Sequence, residues 1–248
     1  MIKQAVILAA GLGIRLNGKN APLPKGFLVL GENAIVEWSV QKLINCGIEK
    51  IIIGTGYLSE MYDELAKKYP AIQTVYSPNY ENTGSMATLS VCAQYVTDDF
   101  LLLESDLIYD SIGLTVLCND AHDNVILASG ATNSGDEVYI ETANGPFLKS
   151  VSKNREELSS VYGELVGISK LTPALLQTMC TYAEKKRQDS PRLEYEHTIA
   201  GCTDKHEVFI RKIESYAWRE IDDDNHLKMA VHEILPRILE NESLRSIQ

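Results

Sequence analysis

Residues 3 to 26 read KQAVILAAGLGIRLNGKNAPLPKG, and the rest of the chain is organised around this stretch. Ala5 to Leu8 form a short, wholly apolar run, which predicts a strand buried on both faces of a parallel sheet. A glycine-bearing turn follows at once. Gly11 and Gly13 open backbone conformations closed to residues with a Cβ and let a ligand lie against main-chain N–H groups, which is how phosphates are cradled. Arg15 and Lys25 bracket the segment with two cations, while Pro22 and Pro24 hold the approach to Lys25 extended.

Three phosphate-loop patterns compete here. G-x-G-x-x-G needs a glycine where the chain has Leu16. Gly13 to Lys19 fit G-x-x-x-x-G-K, but Asn20 stands where a magnesium-binding Ser or Thr belongs, and the prolines that follow forbid the helix this motif requires. The third pattern, L-A-A-G-x-G-x-R-L followed by P-K, is present in both halves, as Leu8 to Leu16 and Pro24-Lys25.

On these residues the chain resembles the sugar-phosphate and alcohol-phosphate nucleotidyltransferases. The resemblance implies an α/β, Rossmann-like sheet, mixed but mostly parallel, flanked by helices. It also implies that Leu8, Ala9, Ala10, Gly11 and Gly13 wrap the triphosphate of an NTP, with Arg15 and Lys25 on phosphate oxygens as the catalytic cations.

At 248 residues, one large α/β domain is expected over 1–248, with a nucleotide-binding half (1–124) and an acceptor-binding half (125–248). A formal net charge of -11 argues against a general nucleic-acid binder, which needs a basic face. It is compatible with a small anionic substrate met by local cations and a divalent metal. No run reaches membrane-spanning length and no secretory pattern opens the chain, so a cytoplasmic protein is expected. Five cysteines, with no C-x-x-C pair, read as reduced, packed thiols, and the five histidines show no zinc spacing.

Downstream, a helix opening at Asn33 or Ala34, a strand over 48–54, a helix over 58–69 and a strand over 73–76 alternate as in right-handed βαβ crossovers. The polar segment Ser77 to Gly84 runs into a helix from Ser85 to about Tyr95, leaving N–H groups at Gly84 and Ser85 free at its start. In the resembled family this stretch lies over the nucleobase, so Asn82, Gly84 and Ser85 are nucleotide-binding candidates. The Asn82-Thr83-Gly84-Ser85-Met86 pattern resembles cytidylyltransferases for small aminoalkyl phosphates or phosphonates.

Phe100 to Glu104 form a fourth strand, and Ser105-Asp106 follow immediately. An acid just past a parallel strand points into the crevice where open α/β sheets bind ligands. Asp106 is the leading metal-ligand candidate; by resemblance it holds Mg²⁺, with Ser105 beside the nucleotide. Glu104 and Asp110 are nearby carboxylates whose orientation the sequence leaves open. From Val125 onward, short segments at 125–129, 137–140, 147–151 and 163–168 read as partly antiparallel strands, with Asn144-Gly145 as a hairpin turn. Lys149 and Lys153 lie nearby, and Lys153 is taken, by its position in the resembled family, as the cation for the acceptor's phosphate or phosphonate. Thr172-Pro173 start a helix, a further one spans 193–202, a strand spans 208–213, and a terminal helix runs over 225–239. In the resembled family an E-I-D element, here Glu220-Ile221-Asp222, supplies the second magnesium-binding aspartate, Asp222, while Asp223 and Asp224 cap the helix.

The resemblance implies Mg²⁺-dependent transfer of a cytidylyl group from CTP, full-length likeness being strongest to 2-aminoethylphosphonate cytidylyltransferases of phosphonate biosynthesis. Bacterial phosphocholine cytidylyltransferases come next, and a homodimer is frequent in such enzymes. A primary ammonium wants carboxylates, for which Asp110, Glu164 and Glu196 are available, whereas choline favours an aromatic cage, for which Tyr109, Tyr139, Tyr162 and Tyr195 are. A non-catalytic nucleotide-binding sensor is the reading from a different class; loss of Lys25 or both aspartates would favour it, and all three are present.

Overall fold

The apolar run near the amino terminus is strand β1 (Gln4–Ala9), buried along its whole length. A computed structural model describes residues 2–13 and 23–246, so Arg15 lies outside the described residues, as do Pro22 and the G-x-x-x-x-G-K overlap up to Lys19. A small hairpin, β2 (Val29–Leu30) and β3 (Asn33–Ala34), leads into α1 (Ile35–Asn45). Then come β4 (Lys50–Thr55), α2 (Ser59–Lys68), β5 (Ile72–Tyr76), α3 (Ser85–Cys92), β6 (Phe100–Glu104), β7 (Leu107–Tyr109) and α4 (Ile112–Cys118). The second half contains β8 (Val125–Ser129), β9 (Tyr139–Ala143), β10 (Phe147–Ser152), β11 (Gly163–Leu171), α5 (Pro173–Lys186) and α6 (Tyr195–Ala200). It ends with β12 (Phe209–Ile213), β13 (Trp218–Glu220), α7 (Asp224–Met229) and α8 (Leu235–Ser246).

Nine of these strands form one sheet in the order β5-β4-β1-β6-β11-β8-β12-β10-β9. The first four are parallel, as the alternation of strands and helices predicts. The direction then reverses, because β11 pairs antiparallel with β6 and with β8. The sheet is mixed, with its parallel part under the glycine turn.

Side chains alternate across each strand, so the two faces of the sheet build separate cores. Ala5 and Ile7 of β1 pack with Val36, Val40 and Leu43 of α1, Leu65 of α2 and Leu114 of α4. Val6 and Leu8 face Leu89 of α3, Leu175 and Met179 of α5 and Ile199 of α6. A third cluster joins Leu30, Ile35 and Ile108 to Ile221, Leu235 and Ile238. No helix among the described residues is long and apolar enough to cross a membrane.

Several local expectations meet their structure closely. Thr172 Oγ1 accepts from Leu175 N at 3.2 Å, with Pro173 opening α5. Asn144 and Gly145, at φ 56° and 93°, form the turn between β9 and β10. Three local features differ. The ribbon strand β7 and helix α4 follow Asp106 where the sequence carries no strong periodic signal, and the terminal helix is interrupted by a π-helical segment, Ala230–Ile234.

Candidate active site

β1 and β6 are parallel neighbours at the point where the strand order switches, β4 and β5 lying on one side of β1 and β6 on the other, and ligands of open α/β sheets bind at such a point. Ser105 N donates to Leu8 O at 3.2 Å, which holds the two strand ends together. A cavity of about 380 Å³ opens there, lined by Leu8, Ala9, Ala10, Gly11, Gly13, Lys25, Ser105 and Asp106. Gly13 takes the left-handed φ of 61°, and a Cβ on it would meet Lys25 Cγ at 3.0 Å. The turn is therefore shaped around the Lys25 stem. Gly11 has nothing within 4 Å of where a Cβ would sit, so its surface stays open to a ligand.

Lys25 Nζ donates to Asp106 Oδ2 at 2.9 Å and also to Asp222 Oδ1. The two aspartates are delivered by the β7–β13 ribbon. β7 begins directly after Asp106, β13 ends directly before Ile221-Asp222, and Glu220 pairs with Leu107. Ile221 N donates to the Asp106 carbonyl at 3.0 Å, which closes the ribbon end. Burial opposes charge on Lys25, but the two carboxylates, Asp106 first, outweigh it and hold the ammonium well above the ordinary lysine range.

Two further acids complete this cluster. Among the described residues, Glu104, Asp106 and Glu220 each offer a carboxylate oxygen, and these lie within 4.8 Å of one another. Burial, with repulsion from Asp106 and Glu196, lifts Glu104 to about 8 against a hydrogen bond from Tyr195 Oη at 2.7 Å. Burial, then Glu104, Asp106 and Asp222, raises Glu220 well above the usual carboxylate range. An all-oxygen set of this density suits a hard cation such as Mg²⁺.

The helix start at Gly84-Ser85 is not free, contrary to expectation. Ser85 N donates to Glu194 Oε2 at 2.8 Å, Ser85 Oγ donates to the same oxygen, and Met86 N donates to Leu193 O at 3.2 Å. Gly84 and Ser85 nevertheless line the cavity, beside Thr83. Asn82 does not. It is exposed in a 3₁₀ turn, Tyr80–Asn82, with its N–H donated to Asn79 O, so the residue facing the cavity is Thr83.

The same cavity is lined by Glu164, Glu196, Lys153 and Glu137. Glu164 Oε2 accepts from Thr132 N at 2.9 Å, yet burial still raises its pKa. Glu196 Oε1 lies 3.3 Å from His197 Nδ1. Lys153 sits half-exposed at the rim, paired with Asp136 at 2.9 Å. Asp110 is corrected: it is buried away from the cavity, where it binds Arg245 and Asn241 of α8 and caps Ile112 N. The reason is that Asp110 follows β7, whose hydrogen bonds carry it past the site to the terminal helix.

Residues 5–196, well over half of the chain, match the MobA-like NTP transferase domain. The chain belongs to the MobA-like NTP transferase family. A choline-phosphate cytidylyltransferase of Haemophilus influenzae is 24% identical over 232 residues, covering 90% of this NTP transferase chain and 95% of that protein. A 2-aminoethylphosphonate cytidylyltransferase of Lancefieldella rimae is 30% identical over 110 residues, 42% of this chain and 43% of the relative, less than half of either. The solved inositol-1-phosphate CTP transferase of T. maritima superposes with a TM-score of 0.81 at 16% identity, covering 96% of both chains. The nucleotidyltransferase-like α/β fold is thereby established.

Sequence reasoning assigned no role in this NTP transferase to Glu220, Glu194, Arg219 or His226, all of which line the cavity. Glu220 carried a usable signal, since it stands two positions before Asp222 and both line the cavity. His226 Nε2 donates to Ser134 O at 3.0 Å and so ties α7 to the cavity wall.

Proposed function

We propose that this NTP transferase moves a cytidylyl group from CTP to a small aminoalkyl phosphonate or phosphate, with 2-aminoethylphosphonate as the acceptor and pyrophosphate as the other product. The observation that carries the reading is one cavity that brings the glycine turn, the Gly84-Ser85 helix start and Lys25 together with an acidic wall of Glu164, Glu196 and Glu137.

An oxygen of the acceptor's phosphorus oxyanion attacks the α-phosphorus as the bond to pyrophosphate breaks. The nucleophile is already an anion, so no proton has to be removed. The protein's work is to hold two polyanions in contact. The turn's amides orient the triphosphate, and Lys25 stabilises charge growing on the α-phosphate. Asp106, Glu104 and Glu220, with Asp222 across Lys25, are the residues that would hold Mg²⁺. When bound, Mg²⁺ neutralises phosphate oxygens.

The acidic wall favours a primary ammonium, which carboxylates bind by charge-assisted hydrogen bonds. Of the four tyrosines open to a choline cage, Tyr109, Tyr139 and Tyr162 do not line the cavity, and the Tyr195 hydroxyl is committed to Glu104. Phosphocholine is the second reading, supported by the Trp218 and Tyr195 rings on the cavity. The test is CTP-dependent pyrophosphate release with magnesium across 2-aminoethylphosphonate, phosphocholine, phosphoethanolamine and inositol phosphate. Turnover fastest with 2-aminoethylphosphonate is expected. CTP binding without release for any acceptor would support the sensor reading instead.

A further inference from the structure

Arg219 is the middle residue of β13 and lines the cavity, yet it is only 6% exposed. Among the described residues, nothing accepts a hydrogen bond from its Nε or its Nη1, and both atoms are shielded from solvent. Buried guanidinium groups are ordinarily paired, because an unsatisfied, desolvated donor on a charged group is costly. The other cation on this side, Lys153, is half-exposed and already paired with Asp136. Arg219 also sits one residue from Glu220 and three from Asp222, so it borders the point where Lys25 meets the acids.

We propose that Arg219 is the anion-binding residue of the acceptor subsite, its planar fork taking two oxygens of the acceptor's phosphonate or phosphate. The proposal rests on the nucleotidyl-transfer reading of the cavity and deepens it. Five N–H donors in a rigid fork match the oxygens of a phosphorus oxyanion, which supplies the acceptors that the protein does not. Such a cation set into an acidic wall reads both ends of a zwitterion, with the phosphonate at Arg219 and the ammonium at the carboxylates. Glu164 feels the Arg219 charge, which places the two groups within electrostatic reach of each other.

The experiment compares wild type with Arg219→Gln, Arg219→Lys and Arg219→Met. In the pyrophosphate-release assay the KM for 2-aminoethylphosphonate is expected to rise on the order of a hundredfold in Arg219→Gln, and less in Arg219→Lys. The KM for CTP is expected to stay within about twofold. An unchanged acceptor KM overturns the proposal, and so does a rise confined to CTP, which would place the arginine on the nucleotide. Arg219→Met keeps the bulk without the donors, and its melting temperature is expected to be no lower than wild type. A marked fall with acceptor binding intact would mark a structural role and overturn the assignment.

Calorimetric binding of methylphosphonate separates this proposal from the function it rests on. If no acceptor is turned over but methylphosphonate binds wild type and not Arg219→Gln, the anion site stands and the activity does not. Equal binding by the two proteins, or none by wild type, overturns the proposal.

Discussion

Lys25 Nζ stands 2.9 Å from Asp106 Oδ2, with Asp222 on its other side, so one ammonium links the glycine turn to both strand-end acids. The positive group that would meet a transferring phosphate is held by the residues assigned to a divalent cation. Substituting either partner should therefore change more than one function. Lys25→Ala and Asp106→Asn are each expected to lower turnover by on the order of a hundredfold to a thousandfold. The double variant should fall short of the product of the two losses, since the residues act as a unit. Pyrophosphate release under saturating CTP checks this, and near-normal turnover in both single variants would refute it.

Glu104 makes the metal-free protein sensitive to pH. The folded state keeps the Glu104 proton up to about 8, while the unfolded chain releases it near 4.5. Between those values the folded state binds more protons, so stability falls as pH rises. In a chelator, wild type should lose on the order of a few kcal/mol across this window relative to Glu104→Gln. Denaturant melts at several pH values measure the difference, and parallel curves would disprove it.

Glu194 and Ser85 clamp the Leu193-Glu194 segment to the start of α3. A Cβ on Gly84 would overlap the Leu193 carbonyl, so Gly84→Ala should separate the two segments and cost about 1–3 kcal/mol. Glu194→Ala removes the acceptor for Ser85 N and should cost about 0.5–2 kcal/mol. Both variants should weaken CTP binding, as measured by calorimetry.

Asp110 should matter for folding alone. Asp110→Ala strips the partner from Arg245 and Asn241 and uncaps Ile112 N, at a cost of about 1–3 kcal/mol. KM and kcat at a temperature where the variant is folded should match wild type, whereas an acceptor-binding role would raise KM.

Cys46 is the thiol expected to react first. Its sulfur lies 3.7 Å from that of Cys118, whose hydrogen bond lowers Cys46 to about 7. Burial raises Cys92 to about 12. Timed iodoacetamide labelling at neutral pH with peptide mapping should find Cys46 modified well before Cys92.

Much of the cavity wall around the glycine turn was legible in the residues themselves. The apolar run from Ala5 to Leu8, the glycines after it and the acid behind Phe100 to Glu104 each act within a few positions along the chain, where strand burial and turn chemistry impose a local pattern. The bringing together of Asp106 and Asp222 depended on β7 pairing with β13, and three-residue strands carry too little periodicity to announce themselves. The same ribbon sent Asp110 to the terminal helix and set Arg219 on the cavity wall, while packing of the Leu193-Glu194 segment on α3 occupied amides expected to be open. Chain order determined which chemistry the protein carries near its glycine turn. Tertiary pairing decided which distant charges that turn would meet, because such contacts depend on hydrogen bonds and packing between segments far apart in sequence.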